Sequence, residues 1–118
     1  MRRVLFVCSR NRLRSPTAER VFADWPGVET ASAGLAPDAD KPLTPEHLAW
    51  ADTVFVMEKA QRTRLSQRFR AHLGGVRIVC LDIPDEYDFM APDLVARLTR
   101  TVPRHLPPRP GGDGEGET

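Results

Sequence analysis

A chain of 118 residues, 41% hydrophobic and 28% charged, has the size and composition of one soluble globular domain. A formal net charge of +1 supplies no global field for nucleic acid or an anionic membrane, so neither is an expected partner. Two cysteines, Cys8 and Cys80, exclude a disulfide framework, and the apolar run Val4–Val7 is too short for a signal core or a membrane span. The expected location is the reducing cytoplasm, where a cysteine is free to act as a nucleophile.

Val4–Val7 is continuously apolar and partly β-branched, the pattern of a strand buried on both faces of a parallel sheet. Ser15 then reads as a helix N-cap with Pro16 at the first helical position. Ala18, Val21, Phe22 and Trp25 recur at helical spacing until Pro26-Gly27 stops the run. Val28–Ala33 predicts a second strand ended by Gly34, and residues 35–43, with two prolines and three charged residues, predict a loop. Thr44-Pro45-Glu46 opens a short helix through Trp50, and Thr53–Val56 is a third strand.

The spacing of Leu65, Phe69 and Leu73 predicts a helix over 59–73, ended by Gly74-Gly75. Val76–Leu81 is a fourth strand, followed by an acidic loop from Asp82 to Asp88. Leu94, Val95, Leu98 and Val102 mark a last helix closed by Pro103. The domain is placed at 1–106, and residues 107–118, with almost nothing to bury, are expected to be a disordered tail. Strands alternating with helices predict an α/β three-layer sandwich: a four-stranded parallel sheet with helices on both faces. Sites in such sheets form beyond the carboxyl ends of the strands, which points to the residues after Val7, Met57 and Leu81.

After the first strand comes Cys8-Ser9-Arg10-Asn11-Arg12-Leu13-Arg14-Ser15. Five residues separate the cysteine from Arg14, enough for the backbone to curl into a cup whose N–H groups converge on one anion. The following helix adds its positive end, and Arg14 can grip two phosphate oxygens in a bidentate contact that lysine cannot match. The same field favours the thiolate of Cys8, so a site that binds a phosphate dianion also prepares a nucleophile. Ser15 can donate a hydrogen bond to the sulfur, and Asn11 is a residue type that tolerates a left-handed turn. Ser9, Arg10, Asn11, Arg12, Leu13 and Ser15 are accordingly the candidate phosphate-binding residues. The alternative makes Cys8 a buried strand-end thiol and Arg14 a surface charge. The position of the motif, between an apolar strand and a helix start, favours the functional reading.

Val-Leu-Phe-Val-Cys-Ser-Arg-Asn-Arg-Leu-Arg-Ser-Pro-Thr-Ala-Glu (residues 4–19) resembles the start of the low-molecular-weight protein tyrosine phosphatases, a family shared with thioredoxin-linked arsenate reductases. Ala31-Ser32-Ala33-Gly34 and Val56-Met57-Glu58 resemble further segments of that family, and the likeness spans most of residues 3–102. The resemblance implies a phosphotyrosine protein phosphatase I-like fold and hydrolysis of phosphate monoesters through a phosphocysteine, with protein phosphotyrosine as the default substrate. One carboxyl must protonate the leaving oxygen and later activate water. The family's aspartate-proline pair aligns with Asp85-Glu86, which makes Asp85 the acid, while Asp82, nearer the strand end, is its rival. Tyr87 is a candidate to flank an aryl substrate, or an ordinary half-buried tyrosine.

Several residues depart from the family pattern. Arg10 stands where glycine is common, and with Arg12 it is expected to raise the positive potential at the mouth, which either favours an acidic substrate or is only a charged rim. Leu13 replaces a cysteine that can protect the nucleophile, and the segment between Gly34 and Asp52 is short. The missing aspartate-proline pair and this short middle segment make a phosphate- or phosphoprotein-binding module with little turnover the alternative reading. Arsenate reduction ranks lower, because it needs further cysteines and Cys80 reads as a buried strand thiol. His47, His72 and His105 lack ligand-like spacing, so no metal and no cofactor are expected.

Overall fold

A computed structural model describes residues 1–108. Its four strands, β1 (Arg2–Cys8), β2 (Val28–Gly34), β3 (Thr53–Val56) and β4 (Arg77–Cys80), form one parallel sheet in the order β2-β1-β3-β4. The helices are α1 (Arg14–Val21), α2 (Pro45–Trp50), α3 (Lys59–Arg68) and α4 (Pro92–Thr101), with short 3₁₀ turns at Arg70–His72 and Pro103–His105. This is the expected three-layer α/β sandwich.

Strand periodicity sorts the core into two layers. Val4, Phe6 and Cys8 of β1 face α1 and α4, packing with Ala18, Phe22, Leu94 and Leu98. Leu5 and Val7 face the other way, toward Leu48 of α2 and Leu65 and Phe69 at the end of α3. Both faces of β1 are covered, which is why its apolar run is unbroken. Phe6 stacks on Phe55 at 5.2 Å and on Phe22 at 6.0 Å, tying β1, β3 and α1 together. Aromatic pairs of this kind add about 0.5–1.5 kcal/mol beyond their buried area.

The strand begins at Arg2 rather than Val4, because exposed arginine side chains do not prevent their backbone from pairing with Val28 and Glu29. The helix expected over 59–73 ends at Arg68. There Phe69 N–H still reaches Leu65 O, but the chain then tightens into a 3₁₀ turn closed by His72 N–H to Phe69 O. Ser15 is not an N-cap: Leu13 holds that position, and Ser15 is the second helical residue with its hydroxyl turned to the loop. Pro16 is consequently the third helical residue, where a missing N–H still costs nothing. Thr44 does cap α2, accepting from His47 N–H while His47 Nδ1 accepts from Thr44 N–H. The tail expectation lies outside the described residues from 109 onward. Its first residue, Pro107, accepts a hydrogen bond from the Trp25 indole at 3.0 Å.

β1 is flanked by β2 on one side and β3 on the other, so the chain reverses direction across the sheet at β1. That is the topological switch point, and the loop carrying Cys8 leaves β1 there. No described helix is long and apolar enough to cross a membrane.

His105 packs edge-on against Phe55 at 5.7 Å. Burial, reinforced by the charges of Arg77 and Arg104, holds its imidazole below the ordinary 6.5. As pH falls through 6.5 the unfolded chain takes up this proton before the folded one does, so native stability drops. Burial and Lys41 act on His47 in the same direction. Thermal melts should show the midpoint falling as pH descends from 6.5, and His105→Gln should flatten that descent. An unchanged slope in the variant would contradict the assignment.

Candidate active site

The loop from Cys8 to Arg14 is ordered by its carbonyls. Cys8 O accepts from Leu35 N–H (3.0 Å), Ser9 O from Ala36 N–H (2.8 Å) and Arg10 O from Asp40 N–H (3.1 Å). At its far end Leu13 O accepts from Thr17 N–H and, at 2.6 Å, from the Thr17 hydroxyl. A trans peptide points its N–H opposite to its C=O. The amides of Ser9, Arg10, Asn11 and Arg14 therefore turn to the inner side of the loop, and Asn11 N–H reaches the Cys8 sulfur at 3.2 Å.

Asn11 has φ +57°, the left-handed conformation for which its residue type is suited. Its side-chain amide donates to Ser15 Oγ at 2.9 Å, and Ser15 Oγ lies 3.0 Å from Cys8 Sγ. With Oγ accepting from Asn11, the Ser15 proton is free to point at the sulfur. Cys8, Asn11 and Ser15 are all buried, so the contacts of Asn11 N–H and Ser15 Oγ to the sulfur are shielded from bulk solvent.

Gly34, paired with Cys8 across the β1–β2 ladder, is required by close approach. A Cβ there would lie 2.5 Å from Ala39 Cβ and 2.8 Å from Ser9 O. The segment after β2 can then fold against the loop and supply the three N–H donors described above.

Arg14 is buried, with 4% of its side chain exposed. Its Nη1 donates to Glu58 Oε2 at 2.9 Å and to Ile83 O at 2.7 Å, and its Nε lies 3.7 Å from Asp85 Oδ1. Residues after β1, β3 and β4 thus meet at one guanidinium, as the strand-end rule anticipates. Gln61 is the buried brace on the β3 side. Its Oε1 accepts from Met57 and Glu58 N–H, and its Nε2 donates to Ser9 Oγ at 3.3 Å.

Cys8, Ser9, Arg10, Arg12, Leu13, Arg14 and Asp85 line one cavity of about 250 Å³. Asn11 and Ser15 stand behind the sulfur rather than in that lining. Of the two acid candidates, Asp85 lines the cavity. Asp82 adopts φ +55° and accepts a hydrogen bond from the Cys80 thiol at 3.5 Å, outside the lining. Tyr87 packs beside the α1/α4 core and takes a hydrogen bond from Arg97, so it does not flank the cavity.

Arg10 and Arg12, expected to add positive charge at the mouth, line the cavity but do not stand alone there. They pair with Asp38 (2.7 Å) and Asp40 (3.3 Å), two carboxylates of the loop after β2. Cys80 is half-buried rather than buried, because β4 is an edge strand. Burial pushes its thiol above the ordinary value, and the Asp82 charge adds to this. It packs with the α2/α3 layer, whereas Cys8 faces the α1/α4 layer two strands away. Adjacent strands lie about 4.8 Å apart, so the separation exceeds the roughly 4.4–6.8 Å that a disulfide spans between Cα atoms. Among the described residues no cluster of three His, Cys, Asp or Glu side chains is placed to hold a metal.

No family model and no curated protein matches the sequence. Solved structures do match. The chain is similar to the low-molecular-weight protein tyrosine phosphatase of T. tengcongensis, with 25% identity and a TM-score of 0.70 over 90% of this chain and 100% of that one. It is also similar to Vibrio vulnificus Wzb in complex with benzylphosphonate, with 26% identity, a TM-score of 0.65 and coverage of 83% and 90%. The YwlE arginine phosphatase of Geobacillus stearothermophilus matches at 24% identity and a TM-score of 0.63, covering 89% and 95%. The sandwich is thus the fold of the low-molecular-weight protein tyrosine phosphatases.

The close packing at Gly34 yields a direct test. Gly34→Ala should cost about 1–3 kcal/mol by overpacking, read as a lower denaturant midpoint. It should also loosen the loop, read as faster alkylation of Cys8. A variant as stable and as slowly alkylated as the parent would show that the contact is not tight.

Proposed function

We propose that this chain is a phosphatase that hydrolyses phosphate monoesters through a phosphocysteine on Cys8, with protein phosphotyrosine as the substrate class. The observation that carries the reading is the buried Cys8 sulfur, met by Asn11 N–H at 3.2 Å, in one cavity lining with Arg14 and Asp85. With Nη1 of Arg14 engaged by Glu58 and Ile83, Nε and Nη2 form the side-on edge that grips two phosphate oxygens. The amides hold the remaining equatorial charge as it develops, a preorganised arrangement that needs no rearrangement during reaction.

In the first step Cys8 attacks as the thiolate, its Sγ forming a bond to phosphorus while the bond to the ester oxygen breaks. Asp85, protonated at the start, gives its proton to that oxygen and becomes a carboxylate. In the second step this carboxylate takes a proton from water as the water oxygen attacks phosphorus. The sulfur–phosphorus bond then breaks, and Ser15 Oγ and Asn11 N–H stabilise the departing thiolate. Inorganic phosphate leaves and both residues regain their starting protonation.

The separation of Cys80 from Cys8 argues against arsenate reduction with Cys80 as the resolving thiol. The fold relatives, among them a tyrosine and an arginine phosphatase by name, support phosphoryl chemistry.

An aryl phosphate assay tests the roles separately. Cys8→Ser should lose all turnover yet retain phosphate binding, and vanadate should inhibit the parent. Asp85→Asn should lower kcat about a hundredfold or more, and Asp82→Asn should stay near the parent. Undiminished hydrolysis by Cys8→Ser refutes the mechanism, and a loss confined to Asp82→Asn reassigns the acid.

A further inference from the structure

The outer wall of the cup is built from Arg10, Arg12, Leu13 and Asp85, with no aromatic side chain among the described lining residues. A plain aryl ring meets little apolar surface there beyond Leu13. Two guanidiniums stand at the mouth instead, each held by one carboxylate from the loop after β2. All four side chains are more than half exposed, at 54% and 65% for Arg10 and Asp38 and 53% and 55% for Arg12 and Asp40. Exposed pairs of this kind contribute about 0–1 kcal/mol, so they exchange partners readily.

An anionic group on a bound substrate offers the arginines the same chemistry as Asp38 and Asp40. It has the further advantage of being tethered by the phosphate already seated at Cys8, which makes the second contact effectively intramolecular. Each guanidinium carries five N–H donors, far more than one carboxylate contact uses. Arg10, through its hydrogen bond and its charge, holds the Asp38 carboxyl below its ordinary value, so this competitor stays ionised across the neutral range.

We infer that Arg10 and Arg12 form a second anion subsite, selecting phosphomonoesters that carry another carboxylate or phosphate beside the scissile group. The inference rests on the phosphatase reading above and narrows its substrate class. Asp38 and Asp40 occupy the subsite until such a substrate displaces them.

Two matched pairs of substrates test this. One pair is para-carboxyphenyl phosphate and its methyl ester, and the other is a phosphotyrosine peptide flanked by Glu and its Gln counterpart. In the parent the anionic member should be preferred about tenfold in kcat/KM, the scale of two exposed charge contacts, and added salt should shrink that preference. The ratio should collapse toward unity in Arg10→Ala/Arg12→Ala. It should grow in Asp38→Asn/Asp40→Asn, which frees the arginines, and melting curves of both double variants check that they fold. The pair showing the larger preference identifies a small molecule or an acidic protein segment as the source of the second anion. A ratio that neither double variant changes, with all substrates turned over, overturns the subsite alone. Absence of turnover on every ester overturns the phosphatase reading and the subsite with it.

Discussion

Peptide groups at the carboxyl end of β1 are oriented with their carbonyls outward, and this orientation is what the rest of the molecule supports. Leu35, Ala36 and Asp40 supply the donors that accept this geometry, and they reach the loop only because Gly34 lets two backbones come close. Once the carbonyls are satisfied outside, the amides have no direction left but inward. The Asn11 amide meets the sulfur in consequence, those of Ser9, Arg10 and Arg14 turn to the same side, and α1 extends them with its own positive end.

Such a concentration of positive field in a buried place is costly unless counter-charge is near. Arg14 is almost wholly enclosed, and its balance comes from Glu58 and the Ile83 carbonyl on one edge and Asp85 beside Nε. Glu58 keeps 38% of its side chain exposed, so it neutralises the arginine without itself being fully desolvated. Gln61 then fixes the β3 end and the loop together through Ser9. These supports come from the ends of β3 and β4, and the parallel sheet is what gathers them beside the end of β1. The sandwich is thus more than a container: its switch point decides where the sulfur, the guanidinium and the carboxylate can meet.

Much of this was legible in the sequence where the signal was local. Thr53–Val56 is a strand because its contiguous apolar residues are covered on both faces, and Thr44-Pro45 starts α2 because cap and φ preference agree. The cup was legible because its strand, its cysteine and arginine spacing and its helix start are adjacent in the chain. Ser15 misled because one hydroxyl suits either an N-cap or a sulfur, and only the position of Leu13 decides between them. Phe69 keeps helical spacing past the true end of α3, since a buried aromatic at the junction with the following 3₁₀ turn mimics the period. The pairing of Arg10 with Asp38 and Arg12 with Asp40 links residues 28 apart, and Arg14 with Glu58 spans 44, distances over which no periodicity speaks.

The central claim is that this loop seats a tetrahedral oxyanion directly against the Cys8 sulfur. A crystal structure of the protein with vanadate tests it most directly. The account predicts vanadium bonded to Cys8 Sγ, equatorial oxygens on the inward amides and on Nε and Nη2 of Arg14, and an apical oxygen facing Asp85. Vanadate seated elsewhere, or a loop whose carbonyls have turned inward around an unoccupied sulfur, would contradict it.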